Sequence, residues 1–126
     1  LSYIGAVIDG ENDVEGLNGV SALAFTDNLA GLGPHVLATS VLDNGLLAFS
    51  FDPMTGELEQ VLQGGAYITS APGVSLNGAR DILVIDNDVY VASKVDDSLV
   101  AFKASDDSGL NLQVVANHQF PDISIV

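Results

Sequence analysis

Apolar residues in this chain gather into short runs that are broken repeatedly by Asn, Asp and Gly. Such runs, rich in Val, Ile, Leu, Phe and Tyr, predict β-strands, and the polar breaks predict the turns between antiparallel neighbours. The strands fall at about 20–26, 35–41, 45–51 and 57–63, then at about 79–85, 88–93, 98–104 and 110–117. Val89-Tyr90-Val91-Ala92-Ser93 shows the two-residue period of a strand most clearly. Asp43-Asn44-Gly45 and Asp96-Asp97-Ser98 suit tight turns, because these residues tolerate positive φ at low cost. Thr55-Gly56 and Ser108-Gly109 mark a turn before each fourth strand. No segment carries an apolar stripe at helical spacing, so the expected class is all-β.

The eight strands are two copies of one repeat. Leu17-Asn18-Gly19 opens the first copy and Leu76-Asn77-Gly78 the second, each followed by an apolar run. Further on, Asp43-Asn44-Gly45-Leu46-Leu47-Ala48-Phe49 matches Asp96-Asp97-Ser98-Leu99-Val100-Ala101-Phe102. The offset shortens between these blocks, and the Gly/Pro-bearing loop Leu29–Pro34 in the first copy accounts for the difference. Four antiparallel strands per repeat of roughly 50 residues predict the blade of a β-propeller, with a small β-sandwich of two similar halves as the alternative. The organisation read from this is residues 1–13 as the outer strand of a preceding blade plus an acidic connector, then 14–70 as blade repeat 1. Residues 71–120 form blade repeat 2, and 121–126 start a further element. Two blades cannot close a ring of about four to eight, so the expectation is an incomplete propeller or a ring completed by oligomerisation. Either a longer chain or sister chains supply the missing blades. Three copies of this chain would make a ring of six.

Charge narrows the partners. Seventeen acidic residues face only Arg80, Lys94 and Lys103, giving a formal net charge of −14. Nucleic acid and anionic membrane surfaces both reward clustered Lys and Arg and are therefore not expected as partners. Self-repulsion of this size is relieved by cations, which fits a secreted or cell-surface protein in a salty or calcium-rich medium. With no cysteine, disulfides and thiolate chemistry are excluded. No apolar run approaches the roughly 20 residues of a membrane-spanning helix. The sequence opens at Leu1, and is read either as processed or as the interior of a longer protein.

The strand and turn residues resemble those of the YVTN/lactonase-like β-propeller repeat family, the 6-phosphogluconolactonase-like propellers. The resemblance rests on Leu76-Asn77-Gly78-Ala79-Arg80, Val89–Ser93 and Ser98–Phe102 in the second copy. In the first it rests on Leu46–Phe49 and on Asp52-Pro53-Met54-Thr55-Gly56-Glu57-Leu58. It spans most of 14–115. The first copy departs from the pattern by lacking the Tyr of the second strand, reading His35-Val36-Leu37-Ala38-Thr39-Ser40, and the second has Ser108-Gly109 for Thr-Gly. The resemblance implies the propeller fold. Function it leaves open, since some relatives hydrolyse sugar-derived lactones and others are exported surface proteins.

Candidate chemistry is sparse. Lactone hydrolysis needs a base to activate water and a donor for the developing oxyanion. Arg80, beside Asp81 at the start of an inner strand, is the best placed cation, either as an oxyanion clamp or as half of an Arg–Asp pair anchoring the blade. His35 is the remaining weak catalytic candidate, and His118 lies past the last strand of the second copy. The loop Asp9–Glu15 packs Asp9, Glu11, Asp13 and Glu15 densely enough to raise calcium as a cofactor, although it lacks the order of an EF-hand. A lectin would need aromatic platforms. There is no Trp, and among the three Tyr only Tyr67 is expected near a surface pocket, with Tyr90 inside a blade. The reading that best fits so few catalytic residue types is a non-enzymatic extracellular scaffold or interaction module. A fragment of a lactonase-like hydrolase is the alternative, and an oligomeric propeller lectin a second.

Overall fold

A computed structural model of the chain describes residues 1–62 and 67–119. The described residues contain nine strands, no helix, and two antiparallel sheets. Sheet 1 is ordered β1 (Val20–Thr26), β2 (His35–Ser40), β3 (Gly45–Phe51), β4 (Leu58–Gln60), with β5 (Ile68–Thr69) also on the free side of β3. Sheet 2 is ordered β6 (Ala79–Ile85), β7 (Asp88–Ser93), β8 (Ser98–Asp106), β9 (Leu110–Gln119). Each sheet is a simple meander, as the hairpin turns predict.

The two sheets share backbone devices, not only residue types. Gly19 and Gly78 both sit at positive φ (73° and 71°), each just before an inner strand. A β-bulge then falls at Ser21 in β1 and at Arg80 in β6. Asn44 (φ 54°) and Asp97 (φ 48°) take the left-handed position in the two equivalent turns. A carboxylate clamp closes both copies: Asp43 Oδ2 accepts from Asn18 N–H at 2.9 Å, and Asp96 Oδ2 from Asn77 N–H at 3.0 Å. These backbone features fall at matched positions in the two sheets.

The fourth strand differs between the copies. β9 pairs with β8 along its length, interrupted by one bulge. In sheet 1 β4 takes up Leu58–Gln60 of the expected strand at 57–63, and among the described residues the next pairs with β3 are those of β5, at Ile68 and Thr69. Phe49 pairs with Gln60 and Leu46 with Ile68, while the equivalent pairs in sheet 2 are Phe102 with Val114 and Leu99 with His118. Between these pairs the sheet 1 edge spans more residues than the corresponding edge of sheet 2. Residues 1–8, expected to be an outer strand, form no strand here. The partner expected for that strand belongs to a preceding sheet. The element expected at 121–126 lies outside the described residues.

Strand register assigns each side chain to a face. In sheet 1, Leu23, Phe25, Ala38, Leu47 and Phe49 share one face, called A, and Ala24, Leu37, Leu46 and Ala48 share the other, B. The equivalent positions in sheet 2 are Ile82, Val84, Val91, Val100 and Phe102 on face A, and Leu83, Tyr90, Leu99 and Ala101 on face B. The main core joins Leu37, Leu46 and Ala48 to Val89, Val91, Val100 and Phe102, with Ile82 and Val84 packed against it. Face B of sheet 1 therefore packs on face A of sheet 2. A second, smaller core forms where Val7, Val14, Leu17 and Tyr67 pack over Ala38, Leu47 and Phe49 on face A of sheet 1. The sheets are also tied by hydrogen bonds: Ser21 Oγ to Ala79 O at 2.9 Å, Ala30 N–H to Asn87 Oδ1 at 2.8 Å, and Gly78 N–H to Asn44 Oδ1 at 2.8 Å.

Candidate functional site

Arg80 is the bulged residue of β6, and both it and Asp81 are exposed. A bulge turns one side chain out of the alternation, which is how strands often re-aim a functional group. The two residues line a shallow concavity of about 210 Å³ with Ala92, Ser93, Lys94, Asp97 and Ser98. Two of the chain's three cations thus share one site with two carboxylates. The expected Arg80–Asp81 pair is not formed. Among the described residues the one salt bridge joins Lys103 Nζ to Asp88 Oδ1 at 3.0 Å, at the other end of sheet 2.

His35 does not join this site. It starts β2 opposite Thr26, at the far end of β1 from the Ser21 bulge that corresponds to Arg80. At about 3.3 Å per strand residue the separation along the strands is roughly 15 Å. The imidazole is buried, and its Nδ1 lies 2.8 Å from Gly33 O, so an Nδ1–H donates there. That contact holds the loop entering β2. A base and an oxyanion donor therefore do not converge from His35, Arg80 and Asp81. His118 pairs with Leu99 on β9, exposed, and belongs to no polar cluster among the described residues.

The acidic loop is organised by its backbone. Gly10 N–H donates to Val14 O and Val14 N–H to Glu11 O, with Asn12 and Asp13 at positive φ. Asp9 Oδ1 accepts from Leu17 N–H at 3.0 Å, fixing the approach to the first repeat. Glu15 is held through its main chain, which exchanges hydrogen bonds with the Gln60 side chain at 3.1 and 2.8 Å. Among the described residues no three His, Cys, Asp or Glu side chains converge in a way that would hold a metal ion. An open groove of about 400 Å³ does run between this loop and β4, with Glu11, Asp13 and Glu59 on its walls.

Tyr67 is packed. Its ring covers face A of sheet 1 so closely that a Cβ built at Gly45 would stand 2.7 Å from Tyr67 Cδ2. Gly45 is thus required by the aromatic ring above it, and Tyr67 is not a free platform. Tyr90 is half-buried on face B of sheet 2.

Sequence reasoning missed the residues that hold the sheets together. Asn44 and Asn87 read as turn formers, yet each carries a hydrogen bond to the other sheet. Asp43 and Asp96 read as turn residues, and only their matched positions in the two copies signalled a shared structural role. Ser40 Oγ and Ser93 Oγ, again matched, are buried without a hydrogen-bond partner among the described residues. Comparison with protein-family models, with curated proteins and with solved structures finds no match for this chain.

Proposed function

We propose that the chain is a non-enzymatic module of two neighbouring β-propeller blades of YVTN/lactonase-like type. Its role is that of an extracellular scaffold or interaction surface within a larger or oligomeric assembly. The observation that carries this reading is the stacking of unlike faces, B of one repeat on A of the next. A two-layer sandwich has polar outer faces. Here the outer faces keep Leu23 and Phe25 on one side and Leu83 and Leu99 on the other, all exposed. Unlike faces that stack by one operation form an open series, which ends only by closing into a ring or by capping. Blades in a ring of about four to eight meet that requirement.

The separation of His35 from Arg80 supports a structural rather than a hydrolytic role. The net charge of −14 supports a soluble, salt-tolerant surface that avoids polyanions. Electron microscopy of the product of the intact reading frame tests the architecture: a toroidal particle with a central channel is expected, and a flat two-layer particle refutes it. The absence of enzymatic activity is tested on the same material. Hydrolysis of a sugar-derived lactone that disappears in Arg80→Ala would overturn the non-enzymatic reading and favour the hydrolase.

A further inference from the structure

The turn Leu-Asn-Gly occurs twice, as Leu17-Asn18-Gly19 and Leu76-Asn77-Gly78, each just before an inner strand. The glycine takes nearly the same φ in both, 73° and 71°. The asparagine N–H is capped in both by the matched carboxylate, Asp43 at 2.9 Å and Asp96 at 3.0 Å. Beyond that the two turns differ. In the second, Asn77 Nδ2 donates to Asp96 Oδ1 at 3.1 Å, and the Gly78 N–H donates to Asn44 Oδ1 at 2.8 Å. Gly78 is buried and Asn77 half-buried. In the first, Asn18 and Gly19 are both exposed. Among the described residues neither the Asn18 side-chain amide nor the Gly19 N–H has a hydrogen-bond partner.

An Asn-Gly pair carries its own chemistry. The glycine nitrogen can attack the asparagine Cγ, and glycine hinders that approach least because it has no Cβ. The N–Cγ bond forms as the Cγ–Nδ2 bond breaks; the glycine N–H proton passes to solvent base, and Nδ2 takes up a proton and leaves as ammonia. Water then opens the cyclic imide at either carbonyl, leaving aspartate or isoaspartate. One water enters, one ammonia departs, and nothing is oxidised or reduced. The step requires both partners to swing together into line. At Asn77 that movement must first break the hydrogen bond of a buried donor and a charge-assisted bond to a carboxylate. At Asn18 neither restraint exists.

We propose that Asn18 is a self-modification site of this chain, converted to aspartate or isoaspartate through its own Gly19 nitrogen, while Asn77 in the same tripeptide is protected. Asn44, the third asparagine followed by glycine, is protected as well: its Oδ1 is committed to Gly78, and Gly45 is buried beneath the Tyr67 ring. The position gives the change a consequence. Asn18 O accepts the N–H groups of Leu42 and Asp43 at 3.2 and 3.3 Å, and Asp43 caps Asn18 in return. Either product sets a second carboxylate in the turn that Asp43 closes, where like charges repel. Isoaspartate also lengthens the main chain by one atom ahead of β1. Both loosen the entry to β1, just before the Ser21 bulge that ties sheet 1 to Ala79 O.

The test needs no substitution at the site. The purified chain is held at mildly alkaline pH, folded and in parallel unfolded in guanidinium chloride. Conversion at each Asn-Gly is followed by peptide mass spectrometry, with isoaspartate separated by chromatography. In the folded chain Asn18 is expected to convert at least about tenfold faster than Asn77 or Asn44, the factor set by one hydrogen bond of this kind. Unfolded, Asn18 and Asn77 share the same tripeptide and are expected to convert at comparable rates. Asn44→Gly frees the Gly78 N–H and keeps the left-handed turn, so it is expected to raise the rate at Asn77 wherever circular dichroism shows the variant folded; the wild-type comparison stands without it. Asn77 keeping pace with Asn18 in the folded chain would overturn the assignment, as would an Asn18 untouched when the unfolded chain has converted. An equal lead for Asn18 in the unfolded chain, or a folded Asn44→Gly that leaves Asn77 as slow as before, would overturn it too, since hydrogen bonding would then not set the order.

Discussion

Asn44 performs two tasks that a substitution series can separate. Its backbone occupies the left-handed region (φ 54°), and its Oδ1 accepts the N–H of Gly78, a buried residue of the other repeat, at 2.8 Å. Alanine loses both. The left-handed conformation costs an ordinary L-residue about 1–2 kcal/mol. A buried N–H without an acceptor costs about 1–3 kcal/mol more. Asn44→Ala is therefore expected to lose about 2–5 kcal/mol, a large share of the ~5–15 kcal/mol typical of a domain. Asn44→Gly relieves the backbone and keeps only the hydrogen-bond loss, with a small added cost from the freer unfolded chain. Asn44→Asp keeps an acceptor in place and tolerates the conformation, so it should stay within about 1 kcal/mol of wild type once salt screens its neighbours. Urea unfolding followed by far-ultraviolet circular dichroism measures all three, provided the slopes agree. The expected order of stability is Asp above Gly above Ala. If aspartate destabilises as much as alanine, the acceptor at this turn does not join the repeats, and the inter-sheet account is wrong.

Two further outcomes follow from the same structure. Phe102 is fully buried between the sheets, so Phe102→Ala is expected to cost about 3–5 kcal/mol, with a loss under 1 kcal/mol contradicting the assigned core. Asp52 is held below the ordinary value of 3.8 chiefly by the Met54 N–H that its carboxylate accepts at 2.8 Å; partial desolvation opposes this and Thr55 assists. A depressed carboxylate contributes stability above its unfolded pKa and loses that contribution as pH falls through its lowered folded value. Melting temperatures of wild type and Asp52→Asn should therefore differ by a constant amount at neutral pH and converge below about pH 4; parallel curves throughout would refute the assignment.

The strands were legible because their ends are written in turn chemistry. Asn44 and Asp97 stop one strand and start another by accepting positive φ, and Gly19 and Gly78 do the same before β1 and β6. A strand bounded by such residues has little freedom in its limits, so β1, β3, β6 and β7 lie where the apolar runs predict. The limits of β4 were hidden, because register depends on the partner strand and not on the local sequence. The bulges at Ser21 and Arg80 were hidden for a related reason: one extra residue leaves no mark on a run that is apolar on both faces. Arg80 accordingly read either as an oxyanion clamp or as half of a pair with Asp81, whereas the salt bridge found among the described residues joins Lys103 to Asp88. His35 was legible as a residue at a strand start, but its distance from Arg80 along the sheet emerges only once β1 and β6 are placed side by side.

The two repeats differ most where their environments differ. On face B, sheet 1 carries Ala24, Leu37 and Ala48 where sheet 2 carries Leu83, Tyr90 and Ala101, yet the clamp, the bulge and the left-handed turn are kept in both. Side-chain volumes on a stacking face can vary, because the facing sheet can compensate with its own. The backbone devices have no such partner. Losing the bulge would shift the register by one and send every later side chain of an inner strand to the opposite face, exchanging the row that meets the neighbouring sheet for the other. The stacking of unlike faces therefore rests on the placement of Ser21 and Arg80 in their strands more than on any single apolar contact.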